Sequence, residues 1–211
     1  MATHESLALQ LIPPHPSLKG LATAARDCHA CQLYKNATQT VFGEGTSSAQ
    51  VMMVGEQPGD KEDLAGKPFV GPAGKLLDKA LEEAGIDREL VYITNAVKHF
   101  KWELRGKVRI HKKPNGKEIA ACRPWLEAEI ITIRPKVIVV MGATAAQALL
   151  GREFRVTQHH GEMIASENPY PHELTATVHP SSILRAPDEE SRHREMAQFV
   201  KDLRLVARRL T

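Results

Sequence analysis

Four short apolar runs recur along the chain, separated by longer amphipathic stretches. The runs are 51–55 (VMMVG), 91–97 (VYITNAV), 137–142 (VIVVMG) and 175–179 (TATVH). They are rich in Val, Ile and Thr, and the third is apolar throughout, as a strand buried on both faces should be. Between them, apolar residues fall at helical spacing. The 73–84 stretch puts Leu76, Leu77, Ala80, Leu81 and Ala84 on one face, with Gly85 as a stop. Ile119, Cys122, Leu126, Ile130 and Ile133 do the same for 117–133, and 143–150 ends at Gly151. Met196, Phe199, Val200, Leu203 and Val206 form the stripe of 188–210, where Pro187 suits the first turn. Ser17 suits the cap of a short helix through Ala25, with Leu18, Leu21 and Ala22 on one face. Alternating strands and helices predict a single α/β domain over 17–211, a central four-stranded parallel sheet flanked by helices. GEMIAS, within 161–179, predicts a hairpin-like excursion. Pro13, Pro14 and Pro16 mark 1–16 as a flexible N-terminal arm.

The stretch GEQPGDKEDLAGKPFVGPAG, from Gly55 to Gly74, crosses the carboxyl end of the first strand, where open α/β sheets bind ligands. Glu56, Gln57, Asp60, Glu62 and Asp63 crowd into it, with Phe69 as a lone aromatic. It contains neither GxxxxGK[ST] nor GxGxxG, so nucleoside-triphosphate and dinucleotide sites have no motif here. A merely solvated loop of this length would be unusual.

Composition adds three points. The chain of 211 residues has 5% aromatics, so its core rests on aliphatic side chains and Met. No apolar run has the ~18 residues of a membrane helix. The N-terminus carries no basic region followed by a long apolar one, so a cytoplasmic protein is expected. Charge is concentrated. From Lys98 to Arg123 nine Lys and Arg face two acids, a local +7 that leaves −4 for the rest of a chain of net +3. That is the footprint of phosphate-backbone binding, or equally of a solvated basic loop.

Cysteines stand at 28, 31 and 122. In a cytosolic setting a C-x-x-C pair favours metal or redox work over a structural disulfide. A thioredoxin-like role would place the pair at the start of a helix in a βαβ unit, and this pair follows a helix. Zinc and iron–sulfur sites both want a fourth ligand, for which His99 is the candidate. The plainer alternative is a buried Cys122 and a surface His99.

Taken together and in this order, Cys28-x-x-Cys31, the Gly55–Gly74 stretch, TNAVKH and HPSSILR (His179 to Arg185) resemble the uracil-DNA glycosylase superfamily, most closely its family-four enzymes. The resemblance implies a 4Fe–4S cluster on Cys28, Cys31 and Cys122. The usual fourth ligand is a cysteine after Val-Lys, and here that position is His99. The insert RGKVRIHKKP resembles the KRRIH loop of the UdgX branch, with Val108 in place of one arginine. That branch links covalently to uracil-containing DNA through the histidine of the loop, here His111.

The resemblance implies an enzyme that excises uracil from DNA, preferably single-stranded, acting as a monomer away from membranes. Phe69 would stack on the base and Asn95 would read its edge. His179 would stabilise the charge developing on uracil. Glu56, Asp60 or Asp63 would assist the sugar cation or orient a nucleophile, and the branch resemblance points to Glu56 beside Gln57. Gly55, Arg109, Ser181 and Arg185 complete the substrate-binding set. Each has a plainer reading: a turn residue for Asn95, a core aromatic for Phe69, a histidine satisfied by Ser181 or Ser182 for His179, and an exposed loop residue for His111. A glycosylase that turns over and a uracil- or single-strand-binding module without chemistry are the alternatives.

Overall fold

The structure, a computed structural model, describes residues 4–167, 170 and 172–210. Its strands are β1 (Val51–Gly55), β2 (Val91–Asn95), β3 (Trp102–Arg105), β4 (Val108–His111), β5 (Val137–Met141), β6 (Met163–Ser166) and β7 (His172–Thr177). Its helices are α1 (His4–Leu9), α2 (Leu18–Ala25), α3 (Asp60–Ala65), α4 (Pro72–Ala84), α5 (Gly116–Ile133), α6 (Ala143–Leu150), α7 (Val156–His159), α8 (Pro180–Leu184) and α9 (Glu189–Ala207). The main sheet has the order β2-β1-β5-β7-β6. Its first four strands are parallel, and β6 pairs antiparallel with β7. The expected four-stranded sheet thus has five strands, because the hairpin-like excursion through GEMIAS adds β6 to the edge beside β7.

Strand alternation sorts the core. Val51, Met53, Val91, Ile93, Val137 and Val139 face α4 and α9 through Leu77, Leu81, Phe199, Leu203 and Val206. Met52, Val54, Tyr92, Ile138 and Val140 face α5 and α6 through Leu126, Ile130, Ala145 and Ala146. Both faces are covered, so β1, β2 and β5 are buried along their whole length. No helix among the described residues is long and apolar enough to cross a membrane.

Two expectations change. The arm before the prolines carries α1, which packs on α5 and buries Ala8 completely. The basic insert is not an irregular loop. It is an antiparallel hairpin, β3 paired with β4, with Trp102 opposite His111. Gly106 opens its two-residue turn at φ 63°, a conformation that costs glycine nothing and suits the primed turns of hairpins.

Much of the insert's charge is spent internally. Lys101 pairs with Glu118, Lys112 with Glu103, and Arg109 with Asp60 and Asp63. Lys98 is 1% exposed and lies 2.6 Å from Oε2 of Glu129, itself 0% exposed. Its ammonium also donates to Oγ1 of Thr94 and the carbonyl of Asn95, both at 2.7 Å. Glu129 further accepts from the hydroxyls of Tyr92 (2.8 Å) and Thr94 (2.9 Å). A buried ion pair offsets its desolvation only when such additional bonds are made. Replacing Lys98 by Ala should therefore cost about 3–5 kcal/mol in urea unfolding, because it strands the Glu129 carboxylate. Replacing both partners, Lys98→Met with Glu129→Leu, should cost much less, and a double loss equal to the sum of the single losses would show the pair to be uncoupled.

Candidate active site

The parallel strands run in the spatial order β2-β1-β5-β7, so chain order reverses direction between β1 and β5. A cavity of about 700 Å³ opens at the carboxyl ends of these strands, where open sheets of this kind bind ligands. Each parallel strand delivers a residue to it: Glu56 after β1, Asn95 ending β2, Gly142 after β5 and His179 after β7. Phe69, from the loop between α3 and α4, forms another wall.

Gly55 is what lets this wall close. A Cβ on it would lie 2.4 Å from Oδ1 of Asn95 and 2.8 Å from Cζ of Phe69, so any side chain there would push both away. Phe69 itself sits at φ 54°. For a bulky residue that backbone conformation costs about 1–3 kcal/mol and persists only where the surroundings impose it. Its ring centroid lies 5.8 Å from that of His179. Asn95 is 2% exposed, and its Oδ1 has no hydrogen-bond partner among the described residues. A buried acceptor left without a donor is costly, and in a cavity wall it marks where a ligand N–H fits.

His179 is pushed down to about 4 by burial, which outweighs the opposing pull of Glu56, so the ring is neutral at physiological pH. Nδ1 accepts the backbone N–H of Ser181 at 3.1 Å, which leaves the ring proton on Nε2. Glu56 is the other electrostatic centre. Burial alone would raise its carboxyl, but hydrogen bonds from His111 and Thr144 hold it below the ordinary carboxylate value. Oε1 lies 3.2 Å from Nε2 of His111, and Oε2 accepts a short hydrogen bond from the Thr144 hydroxyl.

His111 ends β4, so the hairpin sets its place at the rim. Two anchors hold the hairpin. The Gln57 side chain accepts the N–H of Lys101 at 3.1 Å and donates to the carbonyls of Lys101 (3.2 Å) and Lys112 (3.0 Å). The Arg109 guanidinium contacts Asp60 at 2.6 Å and Asp63 at 2.7 Å, 5.5 Å and 5.4 Å from the ring centroids of Phe100 and Trp102. Asp63 also accepts the N–H and hydroxyl of Thr38. The structure therefore gathers Glu56, Gln57, Phe69, Asn95, His111, His179, Ser181 and Arg185 around one cavity. Asp60, Asp63 and Arg109 stand outside its wall as a brace, and the amide of Gln57, though at the cavity, is committed to the hairpin backbone.

Sequence reasoning missed Thr144 and Gly142. The signal was present in MGAT, a glycine and a small hydroxyl residue directly after the most apolar strand. Glu62, noted among the carboxylates of the Gly55–Gly74 stretch but given no role, lines the cavity and accepts the Gly71 N–H at 2.7 Å.

The three cysteines lie together in an apolar cluster with Leu21, Ala25 and Trp125, and none forms a disulfide. The Lys98 amide points at Sγ of Cys122 and the Trp125 indole N–H at Sγ of Cys28, each at 3.2 Å. Burial pushes the Cys122 thiol up to about 12 and raises Cys31 as well, so their thiolates need a cationic partner. Sulfurs aimed at by N–H donors in a dry pocket suit an iron–sulfur cluster. His99, directly after Lys98, is 5% exposed, and burial pushes it down to about 4, which keeps the imidazole neutral as ligation requires. Its Nε2 lies 2.9 Å from the Thr40 hydroxyl. Among the described residues no three His, Cys, Asp or Glu side chains are gathered tightly enough for a single metal ion.

The family model described as the uracil DNA glycosylase superfamily matches residues 42–204. A type-4 uracil-DNA glycosylase of Thermotoga maritima is 39% identical over 171 residues, covering 79% of this chain and 83% of its own. Another, from Pyrobaculum aerophilum, is 36% identical, with 81% of this chain and 86% of its own covered. A third, from Sulfurisphaera tokodaii, is 32% identical over 201 residues, covering 92% and 88%.

The depressed His179 predicts a pH dependence. Its native value of about 4 lies below the unfolded histidine value of about 6.5, so between the two the unfolded chain binds the extra proton. Stability then rises with pH across that window and falls on acidification, by at most about 1.4 kcal/mol per pH unit from this group. Replacing His179 by Gln should flatten the unfolding free energy between pH 4 and 6.5, and an unchanged slope would show that the ring titrates normally.

Proposed function

Because the chain belongs to the uracil-DNA glycosylase superfamily, we propose that it cleaves the bond between uracil and deoxyribose in DNA and that His111 then captures the sugar. The observation that carries the first half is the unpartnered Oδ1 of Asn95, buried in a cavity beside a neutral His179. Uracil offers an N–H to such an acceptor. Cytosine offers a bare ring nitrogen there, so its lone pair would face that of Oδ1. Phe69 provides the stacking face for a base taken out of the helix. Single-stranded DNA, with no pairing to break, is the preferred substrate, and the chain acts as a monomer.

As the glycosidic bond breaks, its electron pair passes to the uracil ring. Nε2–H of His179 donates to the uracil oxygen where that charge collects, a contribution of about 3–4 kcal/mol for a preorganised donor. The sugar is left with cationic character, which the ionised Glu56 stabilises. The support for capture is the His111–Glu56 contact at the cavity rim. As an imidazole nitrogen bonds to the anomeric carbon, Glu56 takes the proton from the other nitrogen. The bond that forms is stable because imidazole leaves reluctantly. Release with turnover, as the names of the type-4 relatives suggest, is the second reading, with water in place of His111.

Cys28, Cys31, His99 and Cys122 would hold a 4Fe–4S cluster. That cluster would tie the N-terminal segment, the residues after β2 and α5 together as a structural staple.

A denaturing gel with a uracil oligonucleotide separates the readings. A retarded band means covalent capture, an alkali-labile strand without one means turnover, and neither means a binding module. His111→Ser should abolish the band and keep uracil release, while Asn95→Ala should lower both by about 10²–10³-fold. DNA mapped by mass spectrometry to another residue would refute capture by His111. Protein purified without oxygen should hold about four irons per chain with matching sulfide, and a colourless protein with one zinc would rule the cluster out.

A further inference from the structure

Beyond the reaction cavity, a second concavity of about 520 Å³ lies between the foot of the hairpin, the start of α5 and the far half of α6. Lys113, Arg123 and Arg152 line it, with Gln147, and no acidic side chain does. Arg123 pairs with Glu127, whereas Lys113 and Arg152 meet no carboxylate among the described residues. Arg152 comes from outside the basic insert, so charge counting along the chain does not reveal the group. Lys113 and Arg152, with no carboxylate between them, concentrate positive potential in the hollow.

Two structural links fix this hollow relative to the reaction cavity. His111 lines the cavity and Lys113 the hollow, two residues on, a chain reach of at most about 7 Å. Ala143 lines the cavity and Gln147 the hollow, one turn on along α6, a step of about 6 Å. Both links give a separation of the order of the distance between neighbouring phosphates on one strand.

We propose that this cationic hollow holds the phosphate backbone of the DNA strand one or two nucleotides from the base in the reaction cavity. The proposal rests on the DNA-directed reading above and adds where the flanking strand runs. The hollow carries no stacking aromatic, so it grips phosphates without reading sequence. It also fixes a direction, since the strand must leave the cavity past the hairpin foot toward α6.

The test uses the full-length protein and the double variant Lys113→Ala with Arg152→Ala, both exposed and outside the reacting groups. On a uracil-free single strand, log affinity against log salt should flatten by about 0.7 for each phosphate that is no longer neutralised. Uracil release should slow at low DNA concentration and not at saturation. An uncharged methylphosphonate at the first or second phosphate on one side of the deoxyuridine should weaken the unaltered protein and leave the variant unaffected. Placed several nucleotides away, it should affect both alike. An unchanged salt slope, or equal sensitivity of both proteins to the near substitution, would overturn the proposal. The salt slope needs no uracil chemistry, so it tests the hollow even if excision fails, and release with an unchanged slope would remove the hollow alone.

Discussion

The structure depends on an ammonium and a carboxylate buried together beneath the sheet. Lys98 and Glu129 are separated by 31 residues and shut off from water, and neither tolerates the loss of the other. What they join explains their value. The ammonium holds the last carbonyl of β2 and the Thr94 hydroxyl, so it fixes the backbone that aims Asn95. The amide of the same lysine donates to Cys122 on α5. One residue therefore sets the angle between the strand that ends at the cavity and the helix that carries a cysteine. An apolar pair would fill the space without imposing that angle.

Around this fixed floor the cavity is built from two kinds of support. Asn95 ends β2, and His179 and Thr144 lie where a strand gives way to α8 and α6, so their positions come with the sheet. His111 does not. It rides on a hairpin outside the sheet, placed by the Gln57 amide and by a guanidinium held between two carboxylates and two rings. The side chain with the least help from the core thus has the most polar anchoring.

Much of this was legible in the residues. Val137–Met141 is apolar at every position, and only a strand covered on both faces needs that. Asn95, His179 and Glu56 were identifiable because polar residues directly after such strands have little structural reason to be there. Charge was misleading, because a count along the chain cannot see partners brought in by folding. Lys98 reads as one cation of a DNA-binding stretch and is the most buried of them. Arg109, Asp60 and Asp63 read as site residues and brace one another. The hairpin was hidden for another reason: WELR and VRIH do alternate apolar and polar residues about Gly106, but their apolar side chains stay largely exposed and add nothing to the core. Arg152 could not be joined to Lys113 without the fold.

The separateness of β3 and β4 also bears on how such a protein changes over generations. Neither strand bonds to the five-stranded sheet, and Gly106 turns the chain in the open with nothing near it. Doubling the length of an exposed connection costs only about 0.6 kcal/mol in closure entropy. Insertion, trimming or substitution at this point therefore leaves the rest of the fold nearly indifferent. A histidine on such an appendage is easily acquired and easily lost, so ancestral and descendant chains sharing one core can differ at the rim of the cavity without differing in its walls.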